Sequence, residues 1–475
     1  MQRVKFAAME SPLTRSELTI AAIATPPGVG AIAVIRLSGK HAFTIGDKVF
    51  RASKGSSLAG MESHKAAFGT IQDQGEVVDE VLALVLKNPR SFTGEDTVEF
   101  SCHGSTYIQQ RILDLLIKNG ARSAEPGEFT LRAFLNGKME LTEAEAVADV
   151  IAADSAGAHR LAIQQLRGGF ASEIRNLREK LIEFASLLEL ELDFSEEDVE
   201  FADRTRLIKL IDESVHRLNS LSESFASGNV IKAGIPVALA GKPNTGKSTL
   251  LNLILNEERA IVSDIAGTTR DTIEEEIVLN GIKYRFIDTA GIRQATDEIE
   301  RIGVGRSYDK IREASVIIYL FDPSETAPDE LLDILSEIKK SKADTKHLLI
   351  PVANKSDRYN IDFMQGEYKK VPDVIFISAK NHTGISQLME CIASFTLENL
   401  TAQNHTILTN IRHKESIDKT LAALQNARLG LTTNLATDLV AIDIRTALMH
   451  LGEISGAITT DDLLGSIFSK FCIGK

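Results

Sequence analysis

One eight-residue segment restricts the fold of this chain more than any other. The apolar residues 237–240 suit a buried strand, Gly241-Lys-Pro-Asn-Thr-Gly-Lys-Ser248 follows directly, and residues 250–252 begin a helical pattern. This order of strand, glycine-rich loop and helix matches the phosphate-binding pattern GxxxxGKS/T. The glycines allow successive backbone N–H groups to point at phosphate oxygens, and the helix N-terminus adds positive potential. The segment therefore predicts a nucleoside phosphate site within an α/β domain.

Several residues of this loop are predicted to contact the nucleotide or its metal ion. Lys247 is expected to reach the β- and γ-phosphates, and the hydroxyl of Ser248 to bind Mg²⁺. Asn244 has two open interpretations, a ligand of a monovalent cation or a residue that stabilises the turn. The complete predicted set is Asn244, Thr245, Gly246, Lys247, Ser248 and Thr249.

Two further segments carry residues that suit Mg²⁺ and the γ-phosphate. Asp288-Thr-Ala-Gly291 follows the strand-like residues 284–287, so Asp288 can hold the Mg²⁺ shell and Gly291 can offer its N–H to the phosphate. Gly267-Thr-Thr-Arg-Asp271 lies between the two motifs and is typical of a switch loop, with Thr269 as a second hydroxyl ligand for Mg²⁺. The residues predicted in these segments are Gly267, Thr269, Asp288, Thr289, Ala290 and Gly291.

Two segments near the end of the α/β region indicate which base is bound. Asn354-Lys355-Ser-Asp357 follows the apolar residues 348–353, and the Asp357 carboxylate can accept hydrogen bonds from guanine N1–H and the 2-amino group. Adenine lacks both donors and would leave a desolvated carboxylate unpaired. Ser378-Ala379-Lys380 follows residues 374–377 and can supply a backbone N–H to guanine O6. The five motifs in this order predict a GTPase domain.

The catalytic residue of Ras-like enzymes is missing from the second of these motifs. Ile292 follows Gly291 where those enzymes have a water-positioning Gln, so another group must position water. From spacing alone, a solvated surface role is the better interpretation for each neighbouring candidate. These candidates are Arg293, Gln294, Asp297, Glu298 and Glu300.

The rest of the chain predicts a multidomain protein. Strand and helix patterns alternate from about residue 234 to 394, which indicates βαβ units and a parallel sheet. Residues 19–120 are mixed α and β, and residues 141–227 and 403–471 are helical. Apolar residues at helical spacing predict one buried face in each helical segment, namely Ile174, Leu177, Leu181, Phe184 and Leu188 in the first and Ile417, Leu421 and Leu424 in the second. We therefore predict a multidomain α/β plus all-α fold with the P-loop domain inserted into a helical domain, because chain ends of domains lie close together.

Composition excludes several classes of protein. The formal net charge of −13 disfavours nonspecific binding of nucleic acid. The three cysteines, Cys102, Cys391 and Cys472, lack the spacing of a disulfide framework or zinc site. No apolar run reaches the roughly 18 residues of a membrane span, and the first residues lack a secretory signal. We expect a cytoplasmic protein that does not bind membranes.

The sequence resembles the MnmE (TrmE) family of tRNA-modification GTPases from about Thr19 to the last residue. The most specific segment is Phe471-Cys-Ile-Gly-Lys475, preceded by Thr460-Asp-Asp-Leu-Leu-Gly-Ser-Ile-Phe468. Ala24-Thr-Pro-Pro-Gly-Val-Gly30, Ser91-Phe-Thr-Gly-Glu-Asp96 and Pro126-Gly-Glu-Phe-Thr-Leu-Arg-Ala-Phe-Leu-Asn136 are also similar to family signatures. The predicted domains are a folate-binding-like α+β domain over 1–121, helical segments over 122–228 and 397–475, and the GTPase domain over 229–396.

The resemblance implies how GTP is hydrolysed. It implies K⁺-dependent dimerisation of GTPase domains, with Asn244 as a side-chain K⁺ ligand. Glu300 matches the acid that orders the attacking water through another water, and Arg293 is similar to a supporting Arg. The implied K⁺-ligating loop consists of Ser263, Asp264, Ile265, Ala266, Gly267 and Thr268.

The resemblance also implies a second activity and its partners. It implies a homodimer that forms a heterotetramer with the FAD-dependent partner MnmG (GidA) and acts on C5 of the wobble uridine of certain tRNAs. The added group is of the carboxymethylaminomethyl or aminomethyl type. Arg36, Glu99, Lys138 and Lys475 fall at positions that contact a 5-formyl- or methylene-tetrahydrofolate, and their charges suit folate carboxylates and pterin N–H groups.

Cys472 and the overall function each keep an alternative. From its position alone, Cys472 could belong to a prenylation box, but Gly474 and Lys475 fit that motif poorly. A buried thiol is the commoner interpretation. The family resemblance instead implies a catalytic or positioning role in modification. The alternative function is a regulatory GTPase switch in ribosome assembly or signalling, without folate chemistry.

We predict that Glu300→Ala slows GTP turnover at saturation and leaves GTP affinity near normal, because an acid that orders water acts after binding. Single-turnover rates and nucleotide binding of the variant separate the two quantities. Glu298→Ala is the matched control and should hydrolyse GTP at the normal rate. Lost GTP binding in Glu300→Ala would assign this residue to structure instead.

Overall fold

The computed structural model describes residues 18–55, 57–193, 203–257, 275–287, 311–342, 347–401, 407–433 and 435–475. The chain divides into two units: residues 1–148, 165–212 and 419–475 form the first, and residues 149–164 and 213–418 form the second. Both units mix helices with a β-sheet, which confirms the coarse prediction of a multidomain α/β and helical protein. The predicted domain boundaries stay a prediction.

The first unit contains a seven-stranded sheet in the order β3-β4-β5-β6-β2-β1-β7. Neighbouring strands are antiparallel, apart from the parallel pair β1 and β7. The strands are β1 (Ile20–Ile23), β2 (Ile32–Ser38), β3 (Phe50–Ala52), β4 (Lys65–Asp73), β5 (Glu76–Leu86), β6 (Thr97–His103) and β7 (Arg122–Ser123).

One face of this sheet forms a hydrophobic core. Side chains alternate across a strand, so alternate residues of β2, β5 and β6 are buried on the same side. Helices α1 (Ala42–Val49) and α2 (Thr106–Lys118) add Ile45, Ile112 and Leu116 to this core. The strand residues that line it are Ala33, Ile35, Leu37, Val81, Ala83, Val85, Val98, Phe100 and Cys102.

A buried ionic network lies at the start of α3 (Glu128–Leu135). The Arg132 guanidinium, 2% exposed, donates to Glu128 Oε1 at 3.0 Å and to both carboxylate oxygens of Glu95 at 3.2 Å. It also donates to Leu18 O at 2.7 Å. Burial raises the pKa of Glu128, but hydrogen bonds from Arg122 and the Glu125 N–H, with the charge of Arg132, lower it overall. Glu128 therefore stays ionised inside the unit.

Longer helices follow along the chain. In the first unit, α6 (Gly169–Asp193) packs along α13 (Thr437–Ser455), and Arg445 on α13 donates to Glu189 on α6 at 2.9 Å. Helices α4, α5, α7 and α12 contribute residues to both units. Their bounds are α4 (Leu141–Ala152), α5 (Ala156–Leu166), α6 (Gly169–Asp193), α7 (Arg204–Ala233), α8 (Lys247–Glu257), α9 (Pro328–Ser341), α10 (Ile361–Glu367), α11 (Ile385–Thr401), α12 (Ile411–Thr432), α13 (Thr437–Ser455) and α14 (Asp461–Phe468).

Residues 468–475 pack against the start of α3 within the first unit. Gly127 N donates to Cys472 O at 3.4 Å, and Phe129 N donates to Lys475 O at 3.1 Å. Gly127 has φ +69°, and a Cβ there would lie 2.6 Å from Phe468 O, so only glycine fits. Sequence signatures that lie more than 300 positions apart are thereby brought into contact.

The second unit contains a six-stranded sheet in the order β13-β12-β11-β8-β10-β9. The first five strands are parallel neighbours, as the alternating pattern predicts. The strands are β8 (Ile235–Ala240), β9 (Glu275–Leu279), β10 (Ile282–Phe286), β11 (Val316–Phe321), β12 (Leu348–Ala353) and β13 (Ile375–Phe376).

The sheet departs from the predicted parallel arrangement at one edge. Strand β9 pairs antiparallel with β10 through a hairpin at Asn280 and Gly281, whose φ values are +52° and +77°. Asn-Gly between apolar runs is the signal of such a turn, since both residues tolerate positive φ. The hairpin turn is held by Gly157 N, which donates to Gly281 O at 2.8 Å.

The predicted buried helix faces are confirmed with one exception. Ile174, Leu181 and Leu188 on α6 are fully buried, and Phe184 is 8% exposed, whereas Leu177 is only half-buried. On α12 the predicted face of Ile417, Leu421 and Leu424 is buried. Among the described residues, no helix combines the length and apolarity that crossing a bilayer requires.

We predict that Arg132→Met destabilises the protein by about 3 kcal/mol, because it leaves the buried Glu128 carboxylate and the half-buried Glu95 carboxylate without their shared partner. Arg428→Met is the matched control: Arg428 pairs with Asp212 on the surface, with both side chains about half exposed, so its loss should cost less than about 1 kcal/mol. Urea unfolding of both variants measures the difference. Equal losses would show that the buried network contributes no more than a surface pair.

Candidate nucleotide-binding site

The glycine-rich loop joins the buried strand β8 to helix α8, in the order that the sequence predicts. Gly241 has φ +145°, and a Cβ there would lie 2.1 Å from Leu320 O on β11. Gly246 has φ +99°. Both positions therefore require glycine, and the loop can turn tightly enough for the first amides of α8 to face a bound anion.

Side chains within the loop close it on itself. Lys247 Nζ donates to Gly241 O and to Lys242 O, each at 2.8 Å. Thr245, which is 1% exposed, donates from Oγ1 to Lys242 O at 2.9 Å. The Lys247 ammonium is thus held at the start of the loop, where a phosphate held by the loop amides would meet it.

Asn244 is exposed and has φ +59°. Asn tolerates this left-handed conformation better than most residues, which agrees with the turn-stabilising interpretation. An exposed amide oxygen also suits a cation ligand, so both interpretations of Asn244 stay open. Ser248 is half-buried in the first turn of α8, and Thr249 is exposed.

Asn354 connects the phosphate loop with the loop after β13. Its Nδ2 donates to Thr245 O at 2.8 Å, and its Oδ1 accepts from Ala379 N at 3.0 Å. The residue is 3% exposed, and a Cβ on Gly246 would lie 2.3 Å from its Nδ2. Three predicted segments that are far apart in sequence therefore meet around one buried amide group.

Asp357 and Ser378 are brought together as the guanine prediction requires. Ser378 Oγ donates to Asp357 Oδ1 at 2.6 Å and accepts from Asn381 N at 3.2 Å. The Ser378 hydrogen bond lowers the pKa of the Asp357 carboxyl, and the nearby charges of Lys380 and Arg358 lower it further. The exposed carboxylate is therefore ionised and fixed in orientation.

Asp322 is a member of this region that sequence reasoning missed. It is 2% exposed, directly follows β11, and its Oδ2 pairs with Lys355 Nζ at 2.7 Å. Burial raises its pKa, but hydrogen bonds from Lys355, Ser324 and Tyr359 outweigh burial and lower it to about 2. Since this value lies below the ordinary 3.8, the carboxylate stabilises the fold at neutral pH, and its contribution is lost only as the pH falls toward 2. The available signal is an acid directly after the apolar run of residues 316–321.

The switch segments and the water-ordering residues lie outside the described residues. The structure therefore gives no position for Ile292, and no predicted metal ligand other than Asn244 and Ser248 is placed. No group of three or more His, Cys, Asp or Glu suited to a metal occurs in the part of the chain that is described. The predicted residues outside it are Ser263, Asp264, Ile265, Ala266, Gly267, Thr268, Thr269, Asp288, Thr289, Ala290, Gly291, Arg293 and Glu300.

In the first unit, three of the four predicted folate residues lie in one region, and Lys138 lies beside it. Arg36 and Glu99 face each other on β2 and β6, with Arg36 Nε donating to Glu99 Oε1 at 2.8 Å. The Arg36 guanidinium lies 5.6 Å from the centre of the Phe92 ring and 5.4 Å from that of Phe129. Phe129 N in turn donates to Lys475 O, so Lys475 belongs to the same region.

Lys138 does not contact the Arg36–Glu99 pair directly. Its Nζ donates to Pro89 O at 2.9 Å, and its stem lies near Gly94, where an added Cβ would come within 3.2 Å of Lys138 Cγ. Both Pro89 and Gly94 belong to the segment that carries Phe92. Lys138 therefore approaches the region through this segment.

The interpretation of Cys472 as a buried thiol is wrong. Its side chain is exposed, because the backbone around it is held by Gly127 N while the neighbouring Phe471 supplies the buried side chain. Cys102, by contrast, is buried, and burial together with the charge of Asp79 raises its pKa to about 11. Of these two thiols, only Cys472 is accessible to a reactant.

Comparison with known families decides the classification. A family model described as the MnmE helical domain matches residues 141–472, well over half of the chain. The chain belongs to the MnmE family of tRNA modification GTPases. A second model, described as the GTP-binding protein TrmE N-terminus, matches residues 19–138.

Curated members of the MnmE family match almost the whole chain. The tRNA modification GTPase MnmE of Flavobacterium psychrophilum is 53% identical over 458 residues, which cover 96% of this chain and 99% of the relative. That of Flavobacterium johnsoniae is 52% identical over 463 residues, with 96% and 99% coverage. Among solved structures, the G domain of the T. maritima FeoB iron transporter is 24% identical, covers 34% of this chain and 98% of its own, and has a TM-score of 0.24.

These findings confirm the predicted family. They also confirm the prediction of an enzyme, a GTPase of tRNA modification, with GTP and Mg²⁺ as the ligands that such a family implies.

We predict that Asp357→Asn shifts nucleotide preference from GTP toward xanthosine triphosphate. The amide can donate to the C2 oxygen of xanthine, whereas it no longer accepts the guanine 2-amino hydrogen bond. Competition binding with the two nucleotides measures the preference, and Asp362→Asn on the exposed α10 is the matched control. An unchanged preference for GTP would remove Asp357 from base recognition.

Proposed function

We propose that this MnmE family member hydrolyses GTP and, with a flavoprotein partner, modifies C5 of the wobble uridine of certain tRNAs. The observation that carries the GTP part is the meeting of the phosphate loop, Asn354, and the Asp357–Ser378 pair in one unit. The loop amides and Lys247 suit a triphosphate, and the ionised Asp357 suits the guanine edge. The tRNA part rests on family membership and on the names of the relatives.

We propose Mg²⁺ and K⁺ as the cations of the GTPase site. Ser248 stands in the first turn of α8, where its hydroxyl can hold Mg²⁺ beside the β- and γ-phosphates. The exposed side chain of Asn244 can contribute an amide oxygen to K⁺, which would supply positive charge in place of an arginine finger. The remaining ligands would come from Ser263, Ile265, Thr268 and Thr269, and the water-ordering group from Glu300 with Arg293.

We propose that the first unit binds a one-carbon tetrahydrofolate near Arg36 and Glu99. The Arg36 guanidinium lies 5.6 Å and 5.4 Å from the centres of two aromatic rings, an environment that suits a flat heterocycle and its carboxylates. Lys138 and Lys475 would add positive charge, and the folate would supply the added methylene carbon. We propose that the exposed Cys472, four residues after the end of α14, acts in modification as a catalytic or positioning thiol.

The proposed assembly is a cytoplasmic homodimer that joins the FAD-dependent partner MnmG (GidA) in a heterotetramer and binds tRNA. We also propose that the GTPase domain is inserted into the helical domain. The span of the helical-domain match supports this arrangement: it covers residues 141–472, and strands β8 to β13 lie inside that range of the sequence, with helices before and after them.

Folate binding distinguishes this function from a regulatory switch. Calorimetric titration of the full-length protein with 5-formyltetrahydrofolate should show binding that Arg36→Gln weakens by at least about tenfold, the loss of a charge-assisted contact. Arg428→Gln, a surface substitution, should bind normally. Absence of binding, together with normal wobble modification in a Cys472→Ser strain, would favour the switch.

We predict that GTP turnover is faster in K⁺ than in Na⁺ at equal ionic strength, and that Asn244→Ala removes the difference. The reason is that a bound K⁺ would neutralise developing phosphate charge in the absence of a Gln at position 292. Steady-state phosphate release in the two salts measures the effect. Equal rates for the wild-type protein would refute the cation proposal.

A further inference from the structure

Asp322 lies at the carboxyl end of β11, and two of its contacts, from Lys355 and Tyr359, come from the segment that is predicted to read the base. Its Oδ1 accepts from Ser324 N at 3.0 Å, Ser324 Oγ at 2.8 Å and Tyr359 OH at 2.9 Å. Its Oδ2 pairs with Lys355 Nζ at 2.7 Å. A buried carboxylate with this many donors is a rigid anchor, since losing any one of them leaves buried charge less well compensated.

Lys355 is the residue that this anchor holds. Its backbone has φ +63° and ψ +30°, a left-handed conformation that is unfavourable for a long side chain and persists where the surroundings fix it. On either side of it, Asn354 N donates to Phe321 O at 2.9 Å and Ser356 N donates to Ile377 O at 3.0 Å. The backbone on either side of Lys355 is thus fixed to β11 and to the residue that follows β13, while the Lys355 side chain is fixed to Asp322.

The position of Lys355 determines what its two neighbours can do. Asn354, directly before Lys355, binds the phosphate loop and Ala379 through its side-chain amide. Asp357, two residues after Lys355, has its carboxylate fixed by Ser378. Tyr359, which also donates to Asp322, ends the short 3₁₀ turn that contains Asp357. Asp322 therefore holds the base-reading turn at both of its ends.

We propose that Asp322 is a positioning residue for guanine recognition: through Lys355 it sets the alignment of Asp357 without touching the nucleotide. This inference rests on the proposed role of Asp357 in reading guanine. The ion pair orients Lys355, the left-handed backbone at Lys355 sets the direction of the turn, and the turn presents the carboxylate to the N1–H and 2-amino groups of the base.

The ratio of GTP to ITP affinity tests this inference, because ITP lacks only the 2-amino group. The full-length wild-type protein should bind GTP about tenfold or more tightly than ITP, the value of one charge-assisted hydrogen bond. Asp322→Asn removes the charge that holds Lys355 and keeps the shape of the side chain. It should lower the ratio by about fivefold, because the 2-amino hydrogen bond that distinguishes GTP from ITP is weakened.

Two further variants separate positioning from general stability. Tyr359→Phe removes one hydrogen bond from the same carboxylate but keeps the ion pair through which Asp322 acts, so it should lower the GTP to ITP ratio less than Asp322→Asn does. In a Lys355→Met background, Asp322→Asn should cause no further change in the ratio, since the residue through which it acts is already altered. A merely structural Asp322 would lower the melting temperature and weaken GTP and ITP equally.

Each outcome decides the inference. A normal GTP to ITP ratio in Asp322→Asn would overturn it while leaving the proposed GTPase function intact. A wild-type protein that binds GTP and ITP equally would overturn it together with the role of Asp357 in the proposed function. A reduced ratio in Asp322→Asn that is additive with Lys355→Met would also overturn it, because Asp322 would then act by another route.

Discussion

The nucleotide-binding unit depends on one buried side-chain amide. Asn354 uses its N–H to hold the carbonyl of Thr245 in the phosphate loop and its oxygen to hold the N–H of Ala379. An aspartate at this position could accept but not donate, and a hydrophobic residue could do neither, so both loops would lose a buried partner. The amide also explains Gly246, since any larger residue there would occupy the space of Asn354. The phosphate loop and the loops that are predicted to recognise the base are therefore joined through Asn354.

The parallel sheet makes this connection available. In parallel strands, the carboxyl ends lie at one edge, where loops from different strands meet. Strand β8 delivers the phosphate loop, β11 delivers Asp322, β12 delivers Asn354, and β13 delivers Ser378. The strands bring these loops to the same edge of the sheet, and the side-chain contacts among the loops then fix their positions relative to one another. The first unit uses a different means, a buried ionic network around Arg132, to hold the helix against which residues 468–475 pack.

Much of this fold was predictable from sequence because its signals are local. The strand before Gly241 and the helix after it follow from hydrophobic pattern and glycine spacing, and the Asn280–Gly281 turn carried its own signal. The Asp322–Lys355 pair was not predictable in the same way, because two positions 33 residues apart meet only once β11 and β12 pair. The exposure of Cys472 likewise depends on how its backbone packs against Gly127, which no local pattern encodes.

The central claim is that GTP hydrolysis by this chain is coupled to modification of the wobble uridine. The most direct measurement combines the purified chain with the partner flavoprotein, tRNA, 5,10-methylenetetrahydrofolate, glycine as the amine of the added group, and either GTP or a non-hydrolysable GTP analogue, and quantifies modified uridine by mass spectrometry of nucleosides. The account predicts modified uridine with GTP and little with the analogue or with Lys247→Ala. Equal modification with GTP, with the analogue and with Lys247→Ala would contradict it.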